Sequence, residues 1–164
     1  MPTSSDNTPP LLVPPAPTQA PTQAPPSAPL PAPVEELLPT LERGITEFNS
    51  GAFYACHDTL EAIWMEAETS EKPFYQGILQ IAVAFYHLEN LNWRGGAILM
   101  GEGINRLGRF EPSYRNVQVD NLVDQAVEWL DLVQTAGPEG LSALMSELPK
   151  PLPQVHMTQD PTSD

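Results

Sequence analysis

The sequence predicts an all-α fold: a compact bundle of five to six helices between a disordered Pro-rich N-terminal arm and a short disordered C-terminal tail. Three observations carry that prediction. Apolar residues recur at three- and four-residue spacing through the middle of the chain. Neither an Asn-Gly hairpin signal nor a sustained alternation of polar and apolar residues occurs. Thirteen of the twenty prolines fall within the first forty residues, which confines folding to the rest of the chain. The chain therefore divides into an arm at 1–33, an all-helical domain at 34–148 and a tail at 149–164.

In the arm, Asp6 is the one charged residue, prolines isolate the apolar side chains, and Thr-Gln-Ala-Pro occurs twice in tandem from Thr18 to Pro25. Such composition gives an extended, solvated segment without a core. Pro-x-x-P spacings such as Pro26 to Pro29 suit an aromatic groove, though so many prolines produce them by chance. The first helix is expected over Val34–Phe48, where Leu37, Leu41, Ile45 and Phe48 share a face and Pro39 starts or kinks the regular part. Asn49-Ser50-Gly51 ends it, and Ser50 is the expected N-cap of a second helix that runs to Ala67 and buries Phe53, His57, Leu60, Glu61 and Trp64.

Lys72-Pro73 opens a third helix, apolar nearly all round from Phe74 to Leu91 and so expected at the centre of the bundle. Its apolar run is broken by Gln76, Gln80, His87 and Glu89 and falls short of the roughly 20 residues that cross a bilayer. The fourth helix, Arg94–Leu107, carries Gly95, Gly96, Gly101 and Gly103. Close packing is the expected compensation, with Ala97, Gly101 and Gly108 on the face toward the third helix. A phosphate-cradling loop at Gly101-Glu102-Gly103 lacks a preceding strand and a Lys-Ser or Lys-Thr pair. Phe110 to Tyr114 forms a connection, a fifth helix spans Asp120–Gln134, and Pro138 stands just inside a short last helix.

The formal net charge of −14 disfavours nucleic acid and anionic membranes as partners and favours a neutral or basic protein or small molecule. No cationic segment followed by an apolar one opens the chain, and the single cysteine, Cys56, excludes an internal disulfide framework. A cytoplasmic setting is the expectation. Cys56 and His57 diverge by about 100° as helix neighbours, which disfavours a nucleophile pair. Glu66, Glu68 and Glu71 read as a solvated helix end, without the ligand ladder of a calcium loop. Arg94, Arg106, Arg109 and Arg115, four of seven basic residues, are expected to pair with nearby glutamates.

Function is expected where polar side chains interrupt apolar helices. His57, Glu61 and Trp64 share one face of the second helix, and Gln76, Gln80 and His87 share one face of the third. These six are the candidate ligand-binding residues. Together with Phe48-Asn49-Ser50-Gly51, Phe53-Tyr54, Asn92, Gly96-Ala97, Gly101, Leu107, Pro112 and Tyr114, they resemble the domain of unknown function 309 family. The resemblance covers most of Phe48 to Leu130 and implies a compact helical bundle of bacterial and plastid-related proteins with no assigned activity. The family's usual His-Glu pair is His57-Asp58 here, and Ala55 replaces an acidic residue common before the histidine.

Three arrangements of these residues are open. In the first, His57 and Glu61 hydrogen-bond across to Gln80 and His87 as a buried clasp, because an unsatisfied buried polar group costs about 1–3 kcal/mol. The second is a pocket lined by Trp64 and Tyr86 for a small polar ligand or a partner's side chain. The third is a metal site of His57, Glu61 and His87, in a metal-dependent hydrolase or metal sensor. No serine elbow, P-loop or dinucleotide fingerprint occurs, and no cofactor or resident metal is called for. The sequence therefore reads as a non-catalytic binding or scaffold module, with the metal-dependent enzyme as its alternative. Docking through the proline-rich arm is a further class.

Overall fold

The computed structural model describes residues 38–158. The arm read at 1–33, the predicted helix start at 34–37 and the last residues, 159–164, lie outside them. The first helix, α1, spans Leu41–Asn49 and starts at Thr40, whose hydroxyl accepts the Arg43 N–H at 3.1 Å. Ile45 and Phe48 are buried, as their spacing predicts. Ser50 does not cap the next helix. Its backbone N–H and hydroxyl instead close the end of α1 on the Thr46 and Glu47 carbonyls, and Gly51 turns the chain at φ 82°.

Helix α2 spans Phe53–Glu66 and turns Phe53, Cys56 and Leu60 inward. Helix α3, Lys72–Glu89, has Pro73 in its first turn, where no N–H is needed. It packs against α2, against α4 (Trp93–Leu107) and against α5 (Val119–Glu147), the central place its apolar girth predicts. In its middle, Phe85 stacks on Phe53 at 5.6 Å and meets Trp129 of α5 edge-on at 5.5 Å. The Trp93 indole N–H ties α4 to α5 through the Val133 carbonyl at 2.8 Å.

The α3–α4 contact is glycine-mediated, but by different glycines from those expected. A Cβ on Gly103 would lie 2.8 Å from the Gly77 carbonyl oxygen, and one on Gly96 would overlap Leu88. Gly101 and Gly108 face open space. Gly101-Glu102-Gly103 lies within α4, so the phosphate-loop reading has no loop to stand on.

After α4 a 3-10 turn at Gly108–Phe110 leads into a two-strand hairpin, β1 (Ser113–Tyr114) and β2 (Val117–Gln118). Arg115 and Asn116 close it at φ 52° and 63°, a turn made without the glycine that would have announced it. Helix α5 breaks at Gly137 (φ 68°, ψ 175°) and resumes at Pro138, as the predicted start of a last helix requires. Among the described residues, no helix is long and apolar enough to cross a membrane.

The sequence reading ends the domain at Leu148, whereas residues 149–158 run along the bundle as a strap. Asn49 reads the Val155 backbone with both ends of its amide: Oδ1 accepts the Val155 N–H at 2.7 Å and Nδ2 donates to its carbonyl at 3.0 Å. Gln125 does the same for Gln154, at 2.9 and 2.8 Å, and the Trp129 indole donates to the Pro151 carbonyl at 2.9 Å. Val155 is 2% exposed. Proline composition suggested a solvated tail, but the carbonyls of a proline-rich strand remain free to accept side-chain donors. His156 is exposed.

Candidate functional site

Five of the six predicted site residues stand on the outer groove between α2 and α3, not in a buried clasp. The inward stripe of α2 is Phe53, Cys56 and Leu60; one position further round, at about 100° per residue, come His57, Glu61 and Trp64. His57 and Trp64 are half-buried and Glu61 is exposed, which corrects the expectation that all three are buried. The groove holds two clefts. One, of about 190 Å³, is lined by Tyr54, His57, Val83, Tyr86 and His87. The other, of about 130 Å³, is lined by Glu61, Trp64, Gln76 and Leu79.

The expected bonds of His57 and Glu61 to Gln80 and His87 do not form. The His57 ring nitrogen Nδ1 lies 3.2 Å from an Asp58 carboxylate oxygen. His87 Nδ1 lies 3.2 Å from the Asn92 amide, the residue whose side-chain oxygen also caps α4 through the Gly95 N–H at 3.0 Å. Gln80, the one buried member at 7% exposure, donates from Nε2 to Glu102 of α4 at 3.0 Å. Each of these three finds a partner close in sequence or on α4, so the two helix faces are left uncommitted to each other.

Two atoms near the groove lack partners. The Trp64 indole N–H and the Gln80 amide oxygen are buried without a hydrogen bond. Trp64 is fixed by Lys72, whose ammonium lies 4.4 Å from the ring centre and donates to the Trp64 carbonyl at 2.8 Å. That contact also sets a cation at the C-terminal end of α2, where the helix dipole favours it.

Cys56 is fully buried and its thiol is pushed up to about 12, first by burial and then by the nearby Glu47 carboxylate. It is a core residue. Among the described residues, the group of possible metal ligands whose donor atoms converge is His57, Asp58 and Glu61, all within 4.8 Å of one another. His87 is not in that group; Asp58 stands in the place the sequence reading gave to it.

Of the four arginines, Arg115 makes the expected pair, with Glu71. Arg94, Arg106 and Arg109 have no ion pair among the described residues, and Arg106 Nε is buried without a hydrogen bond. Glu66 and Glu68 are exposed at the end of α2, as read. The residues that sequence reasoning missed at the groove are Tyr54, Leu79 and Val83. Each lies one helical turn from a residue it named, Tyr54 before His57, Leu79 after Gln76 and Val83 before His87, and that spacing is the signal available for them.

Fold and groove together define a helical bundle that presents an aromatic-lined groove between two adjacent helices. Residues 41–99 match the model of a family described as a domain of unknown function (DUF309). The match agrees with the motif resemblance, and the matched stretch runs from the start of α1 into α4 and includes all six site residues. No curated protein and no solved structure matches the chain.

Proposed function

We propose that the protein is a non-catalytic binding or scaffold module that receives a small ligand or a partner's side chain in the α2–α3 groove. The observation that supports this reading is the position of His57 and His87. They come from two helices, line one open cleft with Tyr54 and Tyr86, and are not used to hold those helices together. A neutral or basic partner suits the charge of −14, and a reduced, buried Cys56 suits the cytoplasm. An NMR-observed screen of small polar and aromatic fragments tests the reading. Hits are expected to converge on the signals of Tyr54, Val83 and Tyr86; a screen whose hits all map elsewhere refutes it.

The convergence of His57, Asp58 and Glu61 favours a second reading, a metal-dependent hydrolase or metal sensor. Asp58 then takes the place given to His87, and Glu61, as a ligand, is not also a free general base. Elemental mass spectrometry of the untagged protein separates the two. Stoichiometric metal that is lost in His57→Ala establishes the second reading, and background metal in the parent removes it.

A further inference from the structure

The cleft at the upper end of the groove has a chemistry more specific than that of an apolar pocket. Four of its five lining residues carry aromatic rings. They form a continuous chain: His57 to Tyr54 at 5.7 Å between ring centres, Tyr54 to Tyr86 at 5.3 Å, and Tyr86 to His87 at 6.1 Å. Both tyrosines are open to solvent, Tyr54 at 57% and Tyr86 at 37%, an unusual exposure for two contacting rings that the core does not use. The face of each ring carries negative potential. Beside the cleft, the Asp58 and Glu61 carboxylates converge on His57 within 4.8 Å, and neither has a Lys or Arg partner among the described residues. The surrounding protein is strongly acidic.

Carbon walls, aromatic rings and two carboxylates at one side, neither with a Lys or Arg partner among the described residues, complement a group that is positively charged but weakly hydrated. A simple metal ion is drawn to the His57, Asp58 and Glu61 donors at the side rather than to the carbon-lined interior. An acidic ligand meets like charge. A neutral apolar group gains from the rings but nothing from the carboxylates. We infer that this cleft is an aromatic cage for an alkylated ammonium group, of the kind borne by a methylated lysine side chain or a choline-like small molecule. Its volume of about 190 Å³ accommodates one such headgroup. Val83 is the one lining residue without a ring. The inference rests on the proposed binding role of the groove and names the chemistry of its occupant.

The test is a titration of the full-length protein, followed through the tyrosine ring signals by NMR at constant ionic strength. The probes are choline chloride and its neutral isostere 3,3-dimethylbutan-1-ol, which keeps the shape and removes the charge. Choline is expected to shift the Tyr54 and Tyr86 signals saturably, with the isostere about tenfold weaker. Tyr54→Leu and Tyr86→Leu, which keep an apolar side chain but lose the ring, are expected to weaken choline by a similar factor, whereas Tyr54→Phe retains it. Unchanged melting temperatures show that these solvent-exposed substitutions leave the fold intact. Equal binding of choline and the isostere overturns the cage while leaving the groove as a binding site. Silence from both probes at high concentration also overturns the cage, and the fragment screen then decides separately on the groove.

Discussion

Two glycines of α4, Gly101 and Gly103, should respond to the same substitution with opposite signs. Alanine is favoured over glycine in a helix interior by about 0.5–1 kcal/mol. Gly101 has nothing within 4 Å of where a Cβ would stand, so Gly101→Ala should gain most of that amount. At Gly103 the same Cβ lies 2.8 Å from the Gly77 carbonyl oxygen, 2.8 Å from Ile81 Cγ1 and 3.3 Å from the Ile81 backbone nitrogen. Two of these three are backbone atoms of the central helix, which cannot rotate away, and Ile81 is fully buried. Relief therefore requires α3 and α4 to separate, and overpacking of this kind costs about 1–3 kcal/mol. Gly103→Ala should be destabilised by about 1 kcal/mol net, and the two variants should differ by about 2 kcal/mol. Urea unfolding followed by circular dichroism measures this directly, with a thermal difference of about 8 °C expected for a domain of this size. A Gly103→Ala variant as stable as Gly101→Ala would falsify the close approach as the reason for glycine there.

Three further outcomes concern the strap, the core thiol and the lysine on Trp64. Asn49→Ala removes both bonds to Val155 and leaves buried backbone groups unpaired, so unfolding should shift by about 2 kcal/mol, while Asn49→Asp should lose less because it keeps the acceptor. Cys56 should resist a thiol reagent at pH 8 until the protein is unfolded. Because its folded value of about 12 stands above its unfolded value, its contribution to stability is complete below pH 9 and declines as pH rises from there toward 12; Cys56→Ala should flatten that part of the alkaline unfolding profile. Lys72→Met keeps the stem but removes the charge that bonds the Trp64 and Met65 carbonyls, and should lower the melting temperature by a few degrees while red-shifting or broadening Trp64 fluorescence.

The fold class was legible because helical periodicity survives wherever a face is buried. Ile45 and Phe48, Phe53 and Leu60, and the girdle of α3 all lie where their spacing puts them. Punctuation was legible where it is local: Lys72-Pro73 opens α3, and Pro138 restarts α5 after Gly137. What failed depended on what lies across space. Of His57, Glu61 and Trp64, and Gln76, Gln80 and His87, five stand along the α2–α3 groove while Gln80 is buried toward α4, because a 100° turn per residue does not say whether a residue looks inward or along a groove. Glu102 takes Gln80, and Asn92 takes His87, from outside both faces. Likewise the glycines of α4 signalled a close approach, but which of them lies against α3 is decided by helix rotation. The hairpin escaped notice because Arg115 and Asn116 adopt left-handed backbone without the customary glycine. The strap escaped because its bonds come from Asn49, Gln125 and Trp129, far away in sequence.

That distance gives the strap a kinetic meaning. Asn49 and Val155 are 106 residues apart, so their pairing closes almost the whole domain into one loop, and the entropy of that closure is lost before any of its bonds is gained. The helices α1 to α4, joined by short turns, can assemble on local contacts first. Contacts formed after the rate-limiting step leave the folding rate nearly untouched and act on escape from the native state. The strap is in this sense a latch: weakening it at Asn49, Gln125 or Trp129 should shorten the lifetime of the folded molecule far more than it slows its formation, and the resistance of the bundle to proteolysis would be set by bonds other than those of the groove.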